Sequence, residues 1–408
     1  MTETIDPIIA LPTVRRCPYD PPEEYRTLRN EQPIARVRLP DGSFCWLATR
    51  YEDVTAIFTD ARFSSDRTLA ANSFKTQKFT DEERRQLQEG RAFISMDPPE
   101  HTRYRRLLTG QFTVRRMKTL TPRIEQIVAD HLDAMAAAGP VVDIVSVCAL
   151  PIPSLVICEL LGIDYADRGE FQERTATMLR SDTSKKGLIE SIDGIRAFVG
   201  NLVRRKREQP SDDILSGLIQ AEPDGAPLTD RELANIGTLL IIAGHETTAN
   251  MIGLGVVTLL ERPGQWAALR ANPNLLDNAM EELLRYLTIV QQGVPRVVKE
   301  DLTFGGKEFR AGETVLLSLP SSNRDPERFP DPDTFDISRS TARQHLAFGF
   351  GIHQCLGQQL ARLEMRTVFA QLTQRFPNMS LAVPFDQVAF RSDMAIYGLH
   401  SLPVNLGQ

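Results

Sequence analysis

Apolar residues recur with helical spacing over most of the chain and alternate strictly over only a few short stretches. The first fifty residues predict a short helix around Glu23 to Asn30. A β-hairpin follows, with Ile34 to Leu39 and Phe44 to Ala48 flanking an Asp41-Gly42 turn. Helical spacing then covers Tyr51 to Phe58, Glu100 to Thr109, Arg115 to Ala138, Ile152 to Leu161, Tyr165 to Leu179, Leu188 to Glu208 and Asp213 to Gln220, with Pro, Gly and Asp at the breaks. Between Ser64 and Met96 the chain is polar and lacks an apolar period, which predicts a long loop with at most one short helix. Further on, helices are expected over Gly264 to Ala271 and Leu275 to Tyr286, short strands near Arg296 to Val298, Leu302 to Phe304 and Thr314 to Ser318, and a last helix after Cys355.

Ile236 to Leu260 is nearly all apolar and about as long as a membrane span, yet its centre carries His245, Glu246, Thr247, Thr248 and Asn250. Lipid would reject such a centre. As the helix of a soluble protein it has a capping box, Thr229 with Glu232, and a stop at Pro263-Gly264. At 1.5 Å per residue it would run for roughly 45 Å.

With 408 residues, 42% hydrophobic and 25% charged, the chain has ample material for a core. Length alone would suggest about two or three domains of roughly 150 residues. No internal repeat or Ser/Gly-rich or Pro-rich linker marks a boundary, so a single α-rich domain over residues 1–408 is the better expectation. The net charge of −6 argues against nucleic-acid or anionic-membrane binding by the chain as a whole. Five scattered cysteines without a CxxC pair fit a reducing compartment, and the acidic N-terminus has no secretory pattern. A cytoplasmic protein is expected.

One cysteine has a special setting. Phe348-Gly-Phe-Gly-Ile-His-Gln-Cys355-Leu-Gly357 surrounds it with glycines at 349, 351 and 357, which permit turns and close approaches that a Cβ would block. The helical run Gln358 to Met365 follows, so the macrodipole favours thiolate at Cys355. Such a thiolate could serve as nucleophile, zinc ligand or haem ligand. Zinc lacks partner ligands at suitable spacing, whereas a nucleophile with His353 as base stays open on the residues alone.

The loop resembles the haem-binding signature of the cytochrome P-450 superfamily, Phe-Gly-x-Gly-x-His/Arg-x-Cys-x-Gly, with every position filled. The resemblance spans nearly the whole chain. Asp97-Pro-Pro-Glu-His101 and Ile242-Ala-Gly-His-Glu-Thr-Thr248 are similar to the soluble actinobacterial group that oxidises polyketides, steroid-like compounds and xenobiotics. It implies a mainly α fold with small β-sheets (α+β), a triangular helical prism around a buried haem b (iron protoporphyrin IX). Cys355 is then the metal ligand, with Phe348 and Gly349 beside it. The Ala/Gly-Gly-x-Asp/Glu-Thr pattern assigns Thr247 as the hydroxyl and Glu246 as the acid of proton delivery, with Ala243 and Gly244 leaving room for haem and O2. His245 is not expected as a second axial ligand, because the helical turn aims it away from the face of Ala243 and Thr247.

Further roles follow from the same resemblance. His101, Arg105, Arg296 and His353 match contacts to the haem propionates. Glu282 and Arg285 match the family's Glu-x-x-Arg element, with Asn323 to Asp325 as the expected partner. Pocket walls fall near Phe93, Ile94, Leu239, Leu240, Val294 and Ile396, and in the Leu179 to Lys185 region. The implied activity is O2-dependent hydroxylation of a hydrophobic small molecule by a monomeric enzyme. Electrons would come from a separate ferredoxin and its NAD(P)H-dependent reductase, docked on a cationic patch of Arg103, Arg106, Arg115, Arg116 and Lys118. The alternatives are a peroxide-driven or non-oxygenating haem-thiolate enzyme, or a non-catalytic haem sensor or carrier.

Overall fold

The computed structural model describes residues 8–70, 91–180, 182–222, 226–391 and 394–407. The core of the predicted long loop, 71–90, lies outside the described residues, as does Ser181 of the expected pocket wall. Elsewhere the structure is mainly helical with small sheets, as the apolar spacing predicts. Two compact units form. One comprises Met1–Thr102, Leu284–Phe335 and Thr341–Cys355; the other comprises Arg103–Leu283, Asp336–Ser340 and Leu356–Gln408. Neither is one continuous stretch, so neither is a module of the kind that length alone suggests.

The first unit is built on a six-stranded sheet. The hairpin Ile34–Arg38 and Phe44–Ala48 forms in the expected register, Ile34 opposite Ala48, and Gly42 turns with φ +83°. Phe44–Ala48 pairs in parallel with Thr314–Leu317, which pairs antiparallel with Val294–Val298. Two short edge strands, Ile9–Ala10 and Phe63–Ser64, are too brief to show alternation in the sequence. Successive side chains point to opposite faces of a strand. Trp46 and Ala48 accordingly join a core with Ile57, Phe58 and Leu317, whereas Cys45 and Leu47 join another with Tyr25, Leu28 and Leu316. Both faces are covered, which explains the apolar character of Phe44–Ala48.

The second unit is helical, with a three-stranded sheet in which Pro403–Asn405 lies between Ser380–Leu381 and Val141–Asp143, and a small hairpin of Ala389–Phe390 and Leu399–Ser401. Its central helix starts at Asp230 behind the predicted capping box: Thr229 Oγ1 accepts from Glu232 N–H, and the Glu232 carboxylate accepts from Thr229 N–H. Asp230–Leu260 is the only segment among the described residues long and apolar enough to cross a membrane, and 78% of its apolar stretch is buried within the protein. The expected single helix is broken. It runs as Asp230–Gly244 and Glu246–Leu260, interrupted at His245.

Candidate functional site

Cys355 ends the first unit. Its N–H donates to Phe348 O (2.8 Å), Gln354 N–H to Gly351 O (3.1 Å) and Gly349 N–H to Leu346 O (2.8 Å), so backbone bonds turn the loop back on itself, and the Asn323 side chain accepts from Leu346 N–H (2.7 Å) at its start. Gly349 and Gly351 each have φ +70°, a conformation that L side chains rarely adopt. Gly357 does not share that reason: its φ is −81° and a Cβ there would meet no atom of the described residues within 4 Å. The Cys355 side chain is exposed, whereas Cys45, Cys148 and Cys158 are buried and burial pushes each of their thiols up to about 12.

The same unit gathers cations and aromatic rings around this loop. The rings of His101 and His353 lie 4.1 Å apart, with Phe93 6.2 Å from His101. The Arg296 guanidinium sits 5.0 Å over the ring of Phe58, and Phe58 O lies 3.3 Å from where a Gly351 Cβ would stand. Phe58 therefore joins Arg296 to the cysteine loop, a role that its place in an amphipathic helix did not disclose. Arg296 is 4% exposed, hydrogen-bonds Pro295 O, and pairs with no carboxylate among the described residues. Burial and then the neighbouring Arg67 lower its pKa to about 10, against the pull of Asp97. Arg67 escaped the sequence reading because it lies in the polar stretch after Ser64.

In the second unit the helix break is flanked by threonine hydroxyls. Thr247 Oγ1 donates to Ala243 O (2.8 Å) and Thr248 Oγ1 reaches Gly244 O at 3.5 Å, bonds that do not by themselves break a helix, since Thr258 makes the same bond to Leu254 O (2.6 Å) within a continuous one. Ala243 is exposed and Thr247 half-buried, in contrast to their buried neighbours Ile241, His245 and Thr248. Glu246 is 3% exposed and paired with Arg391 at 3.2 Å. His245 turns away as expected: Nδ1 meets Ile241 O at 2.8 Å, its ring packs edge-on against Phe171, and burial lowers its pKa despite Glu246 beside it.

Glu282 and Arg285 have partners within the expected region and beyond it. Arg285, fully buried, donates to Asn323 O, Pro332 O and Thr334 O. Glu282 accepts from Asp336 N–H (3.0 Å) and Arg339 Nε (3.1 Å), both further along the chain. Removing one member of such a buried pair leaves an uncompensated charge, at a cost of about 3–5 kcal/mol.

Comparison with known proteins decides the family. Residues 178–384 match the family model described as Cytochrome P450. Cytochrome P450-SU2 of Streptomyces griseolus is 44% identical, covering 95% of this chain and 94% of its own. Pentalenic acid synthase of Streptomyces avermitilis is also 44% identical, covering 97% of each. Among solved structures, CYP105P1 in complex with filipin I superposes with a TM-score of 0.89 at 41% identity, covering 98% of this chain and 99% of that one.

The chain belongs to the cytochrome P450 family. It is a monooxygenase of the actinobacterial group, the fold class is the α+β one expected, and the cofactor is haem. The residues present fit that cofactor: an exposed thiol on a loop fixed by its own backbone, and a buried arginine without a carboxylate partner among the described residues. Cytochromes P450 of this group act on diverse secondary metabolites and xenobiotics.

One expectation changes. Arg103 of the cationic patch is bound to Glu232 at 2.7 Å, and Arg116 reaches Asp212 at 3.6 Å. Charge steering would thus rest on the exposed Arg106, Arg115 and Lys118 more than on Arg103. Leu240 is 8% exposed and Leu239 half-buried on a different face of the helix. Of the other pocket candidates, Phe93 is buried, Ile94 is exposed, and Val294 and Ile396 are half-buried. Arg105 follows His101 one turn later on the helix Glu100–Gln111 and is half-buried.

Proposed function

We propose that this cytochrome P450 inserts one oxygen atom from O2 into a C–H bond of a hydrophobic small molecule, acting in the cytoplasm as a monomeric single domain. The observation that carries the reading is the intact Glu246 and Thr247 pair at a break in an otherwise apolar helix. Haem, when bound, supplies the iron at which O2 is reduced. Cys355 would hold that iron through its exposed sulfur, which the backbone bonds of its loop help to place. His101, Arg105, Arg296 and His353 would bind the propionates, which would give the buried Arg296 an anionic partner. Making water from one oxygen atom requires two protons. Thr247 can turn its O–H from Ala243 O to orient oxygen, while Glu246 supplies protons.

Secondary metabolites are the favoured substrates, supported by a relative named for pentalenic acid and a solved structure holding filipin I. A ferredoxin with an NAD(P)H-dependent reductase provides the electrons. The test is Thr247→Ala in the reconstituted system: oxygenated product per NAD(P)H should fall roughly tenfold or more as peroxide rises. Tight coupling in that variant would sink the proton-delivery role given to Thr247, and a wild type that makes no oxygenated product would sink the oxygen insertion itself.

A further inference from the structure

Within the first unit, residues 16–29 and the segment from Arg324 to Asp333 line a cavity of about 200 Å³. Its walls carry four arginines, Arg16, Arg26, Arg29 and Arg324, against the three carboxylates of Asp20, Glu23 and Asp333. Three of the cations are paired. Arg16 meets Glu23 at 3.0 Å, and Asp333 bridges Arg26 (2.6 Å) and Arg324 (2.8 Å). Arg29 is different. It is 5% exposed, donates Nη1 to Ser321 O (3.2 Å) and Ser321 Oγ (2.9 Å), and bonds no carboxylate among the described residues. Burial lowers its pKa to about 10; Asp325 and Asp333 pull the other way, and the like charges of Arg26 and Arg324 add to the fall.

A buried guanidinium among like charges is favoured by an anion that bonds it directly. The volume limits the size of that anion: sites for drug-sized ligands run to roughly 300–1,000 Å³, so this cavity suits a compact group with a few waters. The carboxylates decide its kind. Asp20, 46% exposed, meets Arg324 Nη1 with one oxygen at 3.3 Å, and its other oxygen accepts no hydrogen bond among the described residues. A carboxylate can only accept, so a fully ionised oxyanion is repelled beside it. An oxyanion that keeps a proton can accept from Arg29 and donate to Asp20 at once. Inorganic phosphate keeps one at neutral pH; sulfate does not.

We propose that this cavity is a binding site for inorganic phosphate: the Arg29 guanidinium donates to its ionised oxygens, and its remaining O–H donates to Asp20. The occupant joins residues 16–29 to the segment from Arg324 to Asp333. That segment follows Asn323, whose side chain accepts from Leu346 N–H at the start of the cysteine loop, so phosphate stabilises the unit that holds the loop. The site is independent of the oxygen chemistry proposed above.

The test is calorimetry of phosphate and of sulfate titrated into the holoenzyme at constant ionic strength. Phosphate should fill one saturable site about tenfold or more tighter than sulfate, because only phosphate turns the Asp20 contact from repulsion into a hydrogen bond. Asp20→Asn, whose amide can donate to either anion, should remove that preference. Arg29→Gln should weaken phosphate binding about tenfold or more. Cys17 reports the location, since it is half-buried and lines the same cavity: phosphate should slow its alkylation by iodoacetamide several-fold, read by mass spectrometry of the labelled peptide. No saturable heat, equal affinity for sulfate, or a Cys17 rate indifferent to phosphate would each overturn the proposal. Should Arg29→Gln fail to fold, Asp20→Asn and the Cys17 rates still decide.

Discussion

The loop that carries Cys355 and the helix break that carries Glu246 and Thr247 both present polar atoms that an ordinary element would hide, and they are held by different means. The loop is shaped within itself. Two positive-φ glycines and three short-range backbone bonds turn the chain so that the sulfur is exposed. At the break two threonine hydroxyls bond carbonyls four residues back, whereas its acid is paired with Arg391 from far along the chain. Backbone turns therefore place the thiol, whereas the acid depends on a side chain that only the tertiary fold brings to it.

The strongest way to break this contrast is Cys355→Ser. The reduced CO-difference band of thiolate-ligated haem should vanish and product formation fall to background, while the haem-free variant keeps the thermal unfolding profile of the haem-free wild type. A collapsed fold would show that the cysteine helps to shape its own loop. Next in size, Gly398→Ala should destabilise by about 1–3 kcal/mol because its Cβ overlaps Asn250. Urea denaturation would measure this, and adding Asn250→Ala should recover most of the loss; additive effects would argue against a remote hold on the break.

The smallest expected effect concerns Glu232, at the start of the same broken helix. Burial alone would raise its pKa, but hydrogen bonds from Thr229, Arg103 and Tyr104 outweigh it and hold the carboxyl at about 2. Because the folded value lies below the ordinary 4.5, the stabilisation is complete above that pH and is lost as pH falls toward 2. Glu232→Gln should therefore cost roughly 1 kcal/mol at neutral pH, after allowance for solvent screening, and progressively less in acid. Thermal unfolding across pH checks it; a constant difference would mean that the charge is irrelevant.

Legibility in the sequence followed the range of the interactions. The hairpin register, the Thr229–Glu232 box and the apolar helices appear where spacing predicts them, because each depends on neighbours within a few residues. The break at His245 was not legible in the sequence, since the threonines beside it bond carbonyls four residues back just as Thr258 does in a continuous helix. Gly357 went the other way: it was read with Gly349 and Gly351 as a backbone requirement, and its φ shows none.

By itself the sequence determined the family, the thiol with a special setting and the acid-hydroxyl pair, because closely spaced residues with restricted backbone or hydrogen-bonding choices leave a local signature. Tertiary structure alone decided that Glu246 answers to Arg391, 145 residues away, that Glu282 answers to Arg339, 57 residues away, and that Phe58 joins Arg296 to the cysteine loop. The physical reason is that charge pairing and burial depend on distance through space. No spacing along the chain encodes which two buried groups will meet, and a lone arginine in sequence looks the same whether it faces water or a buried carboxylate.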